Sequence, residues 1–190
     1  MRSFVAILCF LVVPVLAQDR KNDSEVIQSP DFATSLRELR QLAEQGQPVA
    51  QYNLGIIYEY GRGVGRSDAE AVKWYRQASV QGVSVAQYRL GIMYDNGWGV
   101  PRNDTDAVKW YREAAEQGNP FAQHDLAFMY AAGTGVAQDF VRAYMWLNVA
   151  VASGNSLMVK HLNSIAGKLT SAQVEEAEKM ARKWMENHRK

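Results

Sequence analysis

Three segments of this chain are near copies of one another. "AQYNLGIIYEYGRGVGRSDAEAVKWYRQASVQG", "AQYRLGIMYDNGWGVPRNDTDAVKWYREAAEQG" and "AQHDLAFMYAAGTGVAQDFVRAYMWLNVAVASG" begin at Ala50, Ala86 and Ala122 and align without a gap at a step of 36 residues. The recurring positions include Ala50/Ala86/Ala122, Leu54/Leu90/Leu126, Tyr58/Tyr94/Tyr130, Gly61/Gly97/Gly133, Gly63/Gly99/Gly135, Trp74/Trp110/Trp146 and Gly82/Gly118/Gly154. A fixed period of this length is the mark of an architecture in which each copy is too small to bury its own apolar face. Neighbouring copies bury it by stacking.

Each copy carries two helical patterns. Ala50, Leu54, Tyr58 and Gly61 lie four and three residues apart and line one helix face, and Ala71, Trp74, Tyr75 and Ala78 do the same further on. Pro48 and Pro120 suit a first helical turn, Ser67 with Glu70 has the form of a capping box, and Asp68, Asp104 and Asp139 crowd the start of the second helix. The unit is helix, turn, helix. Small residues at Gly55, Gly91, Ala127, Ala71 and Ala78 let the two backbones approach, and the recurring tryptophan fills the space between neighbouring pairs.

The paired glycines, as in "YDNGWGVPRND", raise the question of a phosphate-binding loop. Such a loop follows a strand and needs a lysine or helix N-terminus aimed at the anion, whereas here a helix precedes the glycines in all three copies. The expected role is geometric: the first glycine ends helix one in a left-handed conformation and the second reverses the chain.

The motifs "AQYNLGIIYEYGRGV", "AQYRLGIMYDNGWGVP" with "AVKWYREAAEQG", and "AFMYAAGTGV" resemble the Sel1-like repeat family, relatives of tetratricopeptide repeats with a longer turn between the helices. The resemblance covers residues 47–154 and implies an all-α, right-handed α-solenoid of stacked helix-turn-helix pairs. It also implies a binding scaffold, as in periplasmic regulators, assembly factors and secreted host-interaction proteins. The flanks extend the pattern. Residues 31–46 read as an N-terminal capping helix, residues 155–190 as C-terminal capping helices, the last opened by a capping box at Thr170 and Gln173 and ending in the basic, solvated "KMARKWMENHRK".

Residues 1–17, "MRSFVAILCFLVVPVLA", have the form of a secretory signal: Arg2, an apolar run from Phe4 to Leu16, and Val15 and Ala17 before a cleavage at Gln18. The run is shorter than the roughly 20 residues a membrane span needs. The expected location is exported, periplasmic or secreted, with residues 18–30 as a polar, flexible N-terminal arm. Cleavage removes Cys9, the only cysteine, and leaves 21 − 1 = 20 basic against 20 acidic residues. No disulfide can form in the remaining chain, and its balanced charge disfavours nucleic acid and anionic membranes as partners. In a eukaryotic host, Asn22 and Asn103 would be glycosylation acceptors.

Catalytic patterns are sparse. His124, His161 and His188 are far apart in the sequence with no His-x-x-x-His spacing, so neither a metal site nor a cofactor is expected, and each reads as a helix-surface histidine. No Gly-x-Ser-x-Gly, Ser-x-x-Lys or Lys-Thr-Gly occurs, and the carboxylate pairs Glu175/Glu176 and Asp104/Asp106 fall on solvated faces or helix starts. Some disulfide-stapled members of the resembled family are linked with penicillin binding or β-lactam hydrolysis, but this chain lacks both their cysteines and a nucleophile motif. The chain is read as a noncatalytic scaffold for a protein or peptide; a small hydrolase acting on cell-wall or glycan material is the alternative. The candidate partner strip lies on the concave face, which first helices line in stacked pairs of this kind, beside the packed positions: Asn53, Ile56 and Tyr60, then Arg89, Ile92 and Asn96, then Asp125, Phe128 and Ala132, with Trp98, an aromatic that does not recur, at its rim.

Overall fold

A computed structural model of the chain describes residues 30–154 and 158–188, and every regular element among them is an α-helix. In chain order these are α1 (Pro30–Glu44), α2 (Pro48–Tyr60), α3 (Asp68–Val80), α4 (Ser84–Asn96), α5 (Asp104–Glu116), α6 (Pro120–Ala132), α7 (Phe140–Ala152), α8 (Val159–Ala166) and α9 (Ser171–Asn187). The expected signal sequence, Cys9, Asn22 and residues 18–29 of the expected arm lie outside the described residues. The fold is a helical solenoid. α2/α3, α4/α5 and α6/α7 are the three helix-turn-helix pairs that the repeats require.

The described helices group into two compact units, divided between Val83 and Ser84. In the first, α1 packs on α2 and α2 on α3, around Leu36, Leu39, Ala43, Ala50, Leu54, Ile57 and Trp74. In the second, α4, α5, α6 and α7 pack in succession, and α7 also carries α8 and α9. Its core includes Tyr111, Leu126, Tyr130, Trp146, Leu147 and Val149, closed by Ala177 and Ala181 of α9. Trp74 and Trp146 are buried as expected. Trp110 is only partly so, with the Lys109 ammonium 5.2 Å from its ring centroid.

The turns are built as the glycines demand. Gly61 and Gly133 cap α2 and α6 with φ of 68° and 70°, donating to the carbonyls of Ile57 and Met129, and Gly63 and Gly135 repeat the left-handed conformation two residues on. The chain then returns to the helix it left: Ser67, Asn103 and Asp139 each donate a backbone N–H, at 2.9 Å, to the carbonyl of Tyr58, Tyr94 and Tyr130. Those same three residues cap the second helices. Ser67 accepts from the N–H of Glu70, Asn103 from Thr105 and Asp106, and Asp139 from Arg142. At α9 the full capping box of Thr170 and Gln173 is formed.

Within the first two pairs, contact is set by a glycine facing a tyrosine. A Cβ placed on Gly55 would lie 2.6 Å from the Tyr75 ring, and one on Gly91 would lie 2.6 Å from Tyr111. The phenols reach back to the first helix, where Tyr75 donates to Glu59 and Tyr111 to Asp95. The third copy changes all three partners together: Ala127 stands for the glycine, Leu147 for the tyrosine and Ala131 for the acid. Leucine is narrower than tyrosine beside the helix and needs no hydrogen-bond acceptor, so the departure at Ala127 conserves volume.

A second layer of order is polar and buried. Gln51 and Gln123 donate to the carbonyls of Ala43 and Ala115, while Gln81 and Gln117 donate to the Oε1 of Gln51 and Gln87 at 2.7 and 2.6 Å. In the third copy Ser153 takes the place of the donating glutamine, and its hydroxyl turns to the Val149 carbonyl. The fully buried Gln123 keeps an Oε1 with no partner among the described residues.

Candidate functional site

The predicted strip divides between the two units. In the first, Tyr60 stands at the end of α2, 52% exposed, with the Arg62 guanidinium 5.4 Å from its ring centroid, and Ile56 is half-buried. Asn53 departs from the expectation. It is 4% exposed, so at the register where later copies hold Arg89 and Asp125 it offers a partner almost no surface.

In the second unit the strip is richer than the sequence reading. Phe128 is 43% exposed and Phe121, two turns earlier on α6, is 60% exposed. Tyr88 of α4 stacks on Phe121, 5.9 Å between centroids, and donates its hydroxyl to Asp125 Oδ2 at 3.1 Å. The other carboxylate oxygen of Asp125 lies 2.7 Å from His124 Nδ1. A carboxylate only accepts, so Nδ1 carries the proton and Asp125 is engaged on both sides. Burial, then the Asp125 charge and hydrogen bond, raise the Tyr88 phenol well above its ordinary range.

His124 in turn lies tilted against Phe128, 4.6 Å between centroids, and His161 of α8 meets Phe128 edge-on at 4.9 Å and His124 at a tilt at 5.5 Å. The result is a band of rings, Tyr88–Phe121 and His124–Phe128–His161, joined through Asp125. Arg89 and Ile92 are half-buried on α4. Asn96 is exposed but folds its amide onto the Ile92 carbonyl, and Trp98 is 46% exposed in the turn that follows.

Two histidines expected to be far apart are therefore neighbours. Stacking brings residue i beside i+37: Tyr88 meets Asp125 by that step, and His124 meets His161 by the same step one copy later. The period carried this signal, but a search for ligand spacing within one helix does not use it. Phe121 and His124 were missed as strip residues for the same reason. Among the described residues no group of three or more His, Cys, Asp or Glu is placed to hold a metal ion.

The C-terminal helix is also less solvated than its basic sequence suggests. Trp184 packs edge-on against Trp146 at 5.6 Å, donates to Glu116 Oε2 at 2.7 Å and carries the His188 ring stacked at 4.0 Å. Indole area outweighs the lysines and arginines around it, which keep their charges in water.

The Sel1 repeat pattern matches residues 48–83, 84–119 and 120–155, more than half of the chain and within one residue of the boundaries read from the period. The chain belongs to the Sel1 repeat family. Repeats of this family mediate protein–protein interaction. Among solved structures, a Sel1 repeat protein from Oxalobacter formigenes is 30% identical with a TM-score of 0.61, the match covering 68% of this chain and 59% of that one. The protective antigen c5321 of uropathogenic Escherichia coli strains, which displays an SLR fold, is 29% identical with a TM-score of 0.63 over 80% of this chain and 41% of that one. Helicobacter pylori cysteine rich protein B shares the fold at 16% identity and a TM-score of 0.54, over 70% and 95% of the two chains. This Sel1 chain thus spans less than two thirds of the first two of these chains. No curated protein matches it.

Proposed function

We propose that this Sel1 chain is an exported, noncatalytic scaffold that binds a protein or peptide partner through the outward face of α4 and α6, bordered by α8. The observation that carries the reading is the aromatic band: Phe121 and Phe128 hold large apolar area in water on helices that otherwise pack inward. Solvent-facing aromatic residues beside a mixed polar border are the composition of an interface centre. Asp125, held by Tyr88 and His124, fixes the rings and lowers the entropy that a partner must remove on docking. Export is supported by the leader pattern of residues 1–17.

The test is affinity capture from envelope extract, identification of the captured protein, and titration of that protein against variants. Alanine at Phe128 or Arg89 is expected to weaken binding by about 1–2 kcal/mol each while the helical circular dichroism is retained. Equal affinity in both variants overturns the face. Reproducible turnover of a glycan by the purified chain overturns the noncatalytic reading. N-terminal sequencing is expected to find Gln18 first; Met1 retained in a membrane fraction would contradict soluble export.

A further inference from the structure

A cavity of about 420 Å³ lies on the opposite helices of the second unit, lined by Arg112, Glu116, Tyr130, Arg142, Met145, Trp146 and Met180. Its chemistry differs from that of the same register elsewhere. In the first unit Arg40 donates to Tyr58, as Arg112 does here to Tyr130 at 3.1 Å, so that bond belongs to the fold. Residue 142 is another matter. The earlier copies place Glu70 and Asp106 there, in the first turn of the second helix, where a negative charge suits the helix dipole. The third copy has an arginine.

Arg142 breaks that local preference, and its guanidinium lies 5.7 Å from the Tyr130 ring centroid, beside the ring whose hydroxyl Arg112 holds. A residue set against its own helix is a candidate for function. The adjacent change points the same way: Lys73 and Lys109 of the earlier copies become Met145, which with Trp146 forms a nearly buried apolar floor beside the half-buried Met180. Glu116 of the lining accepts the Trp184 indole N–H, and Arg142 faces Asp139, the N-cap of α7, through its Nε at 3.6 Å. Two planar guanidiniums beside adaptable methionines suit a flat anion joined to an apolar group.

We propose that this cavity binds a carboxylate attached to an apolar side chain, the C-terminal residue of a peptide, with Arg112 and Arg142 on the carboxylate and the half-buried Met180 against the side chain, over a floor of the buried Met145 and Trp146. The site lies on α5, α7 and α9 with the end of α6, and it does not depend on the aromatic band.

The experiment is an NMR titration of the full exported chain, reading the Trp146 indole and Met180 methyl signals. The probes are acetyl-Ala-Ala-Leu with a free carboxyl end, the same peptide amidated, hexanoate and inorganic phosphate. Saturable shifts with the free-acid peptide, and none with the amide, are the expected result. Hexanoate binding as tightly as the peptide would assign the site to free apolar acids and overturn the peptide reading, and phosphate binding as tightly would overturn the apolar half. Arg142→Glu restores the acid of the sister copies, so it should fold and lose affinity by about tenfold or more. Arg142→Gln serves as the second variant. No saturable shift in the parent, or unchanged affinity in a folded Arg142 variant, overturns the proposal.

Discussion

At Gly91 the absent side chain is what admits Tyr111, and the third copy shows how the exchange can be reversed, with alanine facing leucine. Gly91→Ala should therefore destabilise the chain by about 1–3 kcal/mol through overpacking. Adding Tyr111→Leu should recover most of that loss. Urea unfolding of the two single variants and the double variant measures the coupling, and strictly additive losses would show that the ring and the glycine are not the contact that matters. Ser153 is the converse case, a residue too short for the partner it faces. Ser153→Gln supplies the amide that Gln81 and Gln117 provide in their copies, so Gln123 Oε1 gains a donor and stability should rise by about 0.5–1.5 kcal/mol. An unchanged or lower unfolding midpoint would show that the serine is already accommodated.

At the scale of the element, each second helix is held at its start by one residue with two duties. Asn103 donates its backbone N–H to Tyr94, closing the turn, and accepts from Thr105 and Asp106 through its side chain. Asn103→Ala keeps the first bond and removes the second, so it should cost about 1 kcal/mol, read as a lowered thermal midpoint with unchanged helical circular dichroism. The turns resist simplification because their left-handed glycines and their caps act together. α8 contrasts with this: its N-cap makes no side-chain bond and none of its residues is fully buried, so its place beside α6 rests on side-chain packing such as His161 against Phe128.

For the whole molecule, the alkaline limit of stability follows from two phenols of the second unit. Burial first and then Asp125 raise Tyr88, and burial followed by Asp125 and Asp95 raises Tyr111, both far above the ordinary value of 10.0 in the folded chain. The folded state binds these protons more tightly than the unfolded state. Their contribution is thus fully present below pH 10 and is lost progressively as the pH rises beyond it, because the unfolded phenols ionise first. Thermal unfolding across that range should show a midpoint that falls with pH, and a flatter slope in the Tyr88→Phe, Tyr111→Phe double variant. The slope is the test rather than the absolute midpoint, since the variant also loses bonds to Asp125 and Asp95.

The 36-residue period by itself determined the helix-turn-helix unit, its caps, its left-handed glycines and membership of a solenoid, because those follow from local spacing and from backbone preferences that a few residues decide. The first-helix strip was legible as a register, yet its content was not. Asn53 turned inward, Trp110 stayed half-exposed and Trp184 turned toward the core, since burial at a fixed register depends on which neighbour covers it. The contacts between i and i+37 that join Tyr88 to Asp125 and His124 to His161 exist only once copies stack. The buried glutamines were visible as the recurring "AQ", but their function as a polar layer was not, because a hydrogen-bond partner 30 residues away is chosen by packing geometry. Local rules wrote the repeat; the tertiary structure decided which of its faces meet water and what chemistry they present there.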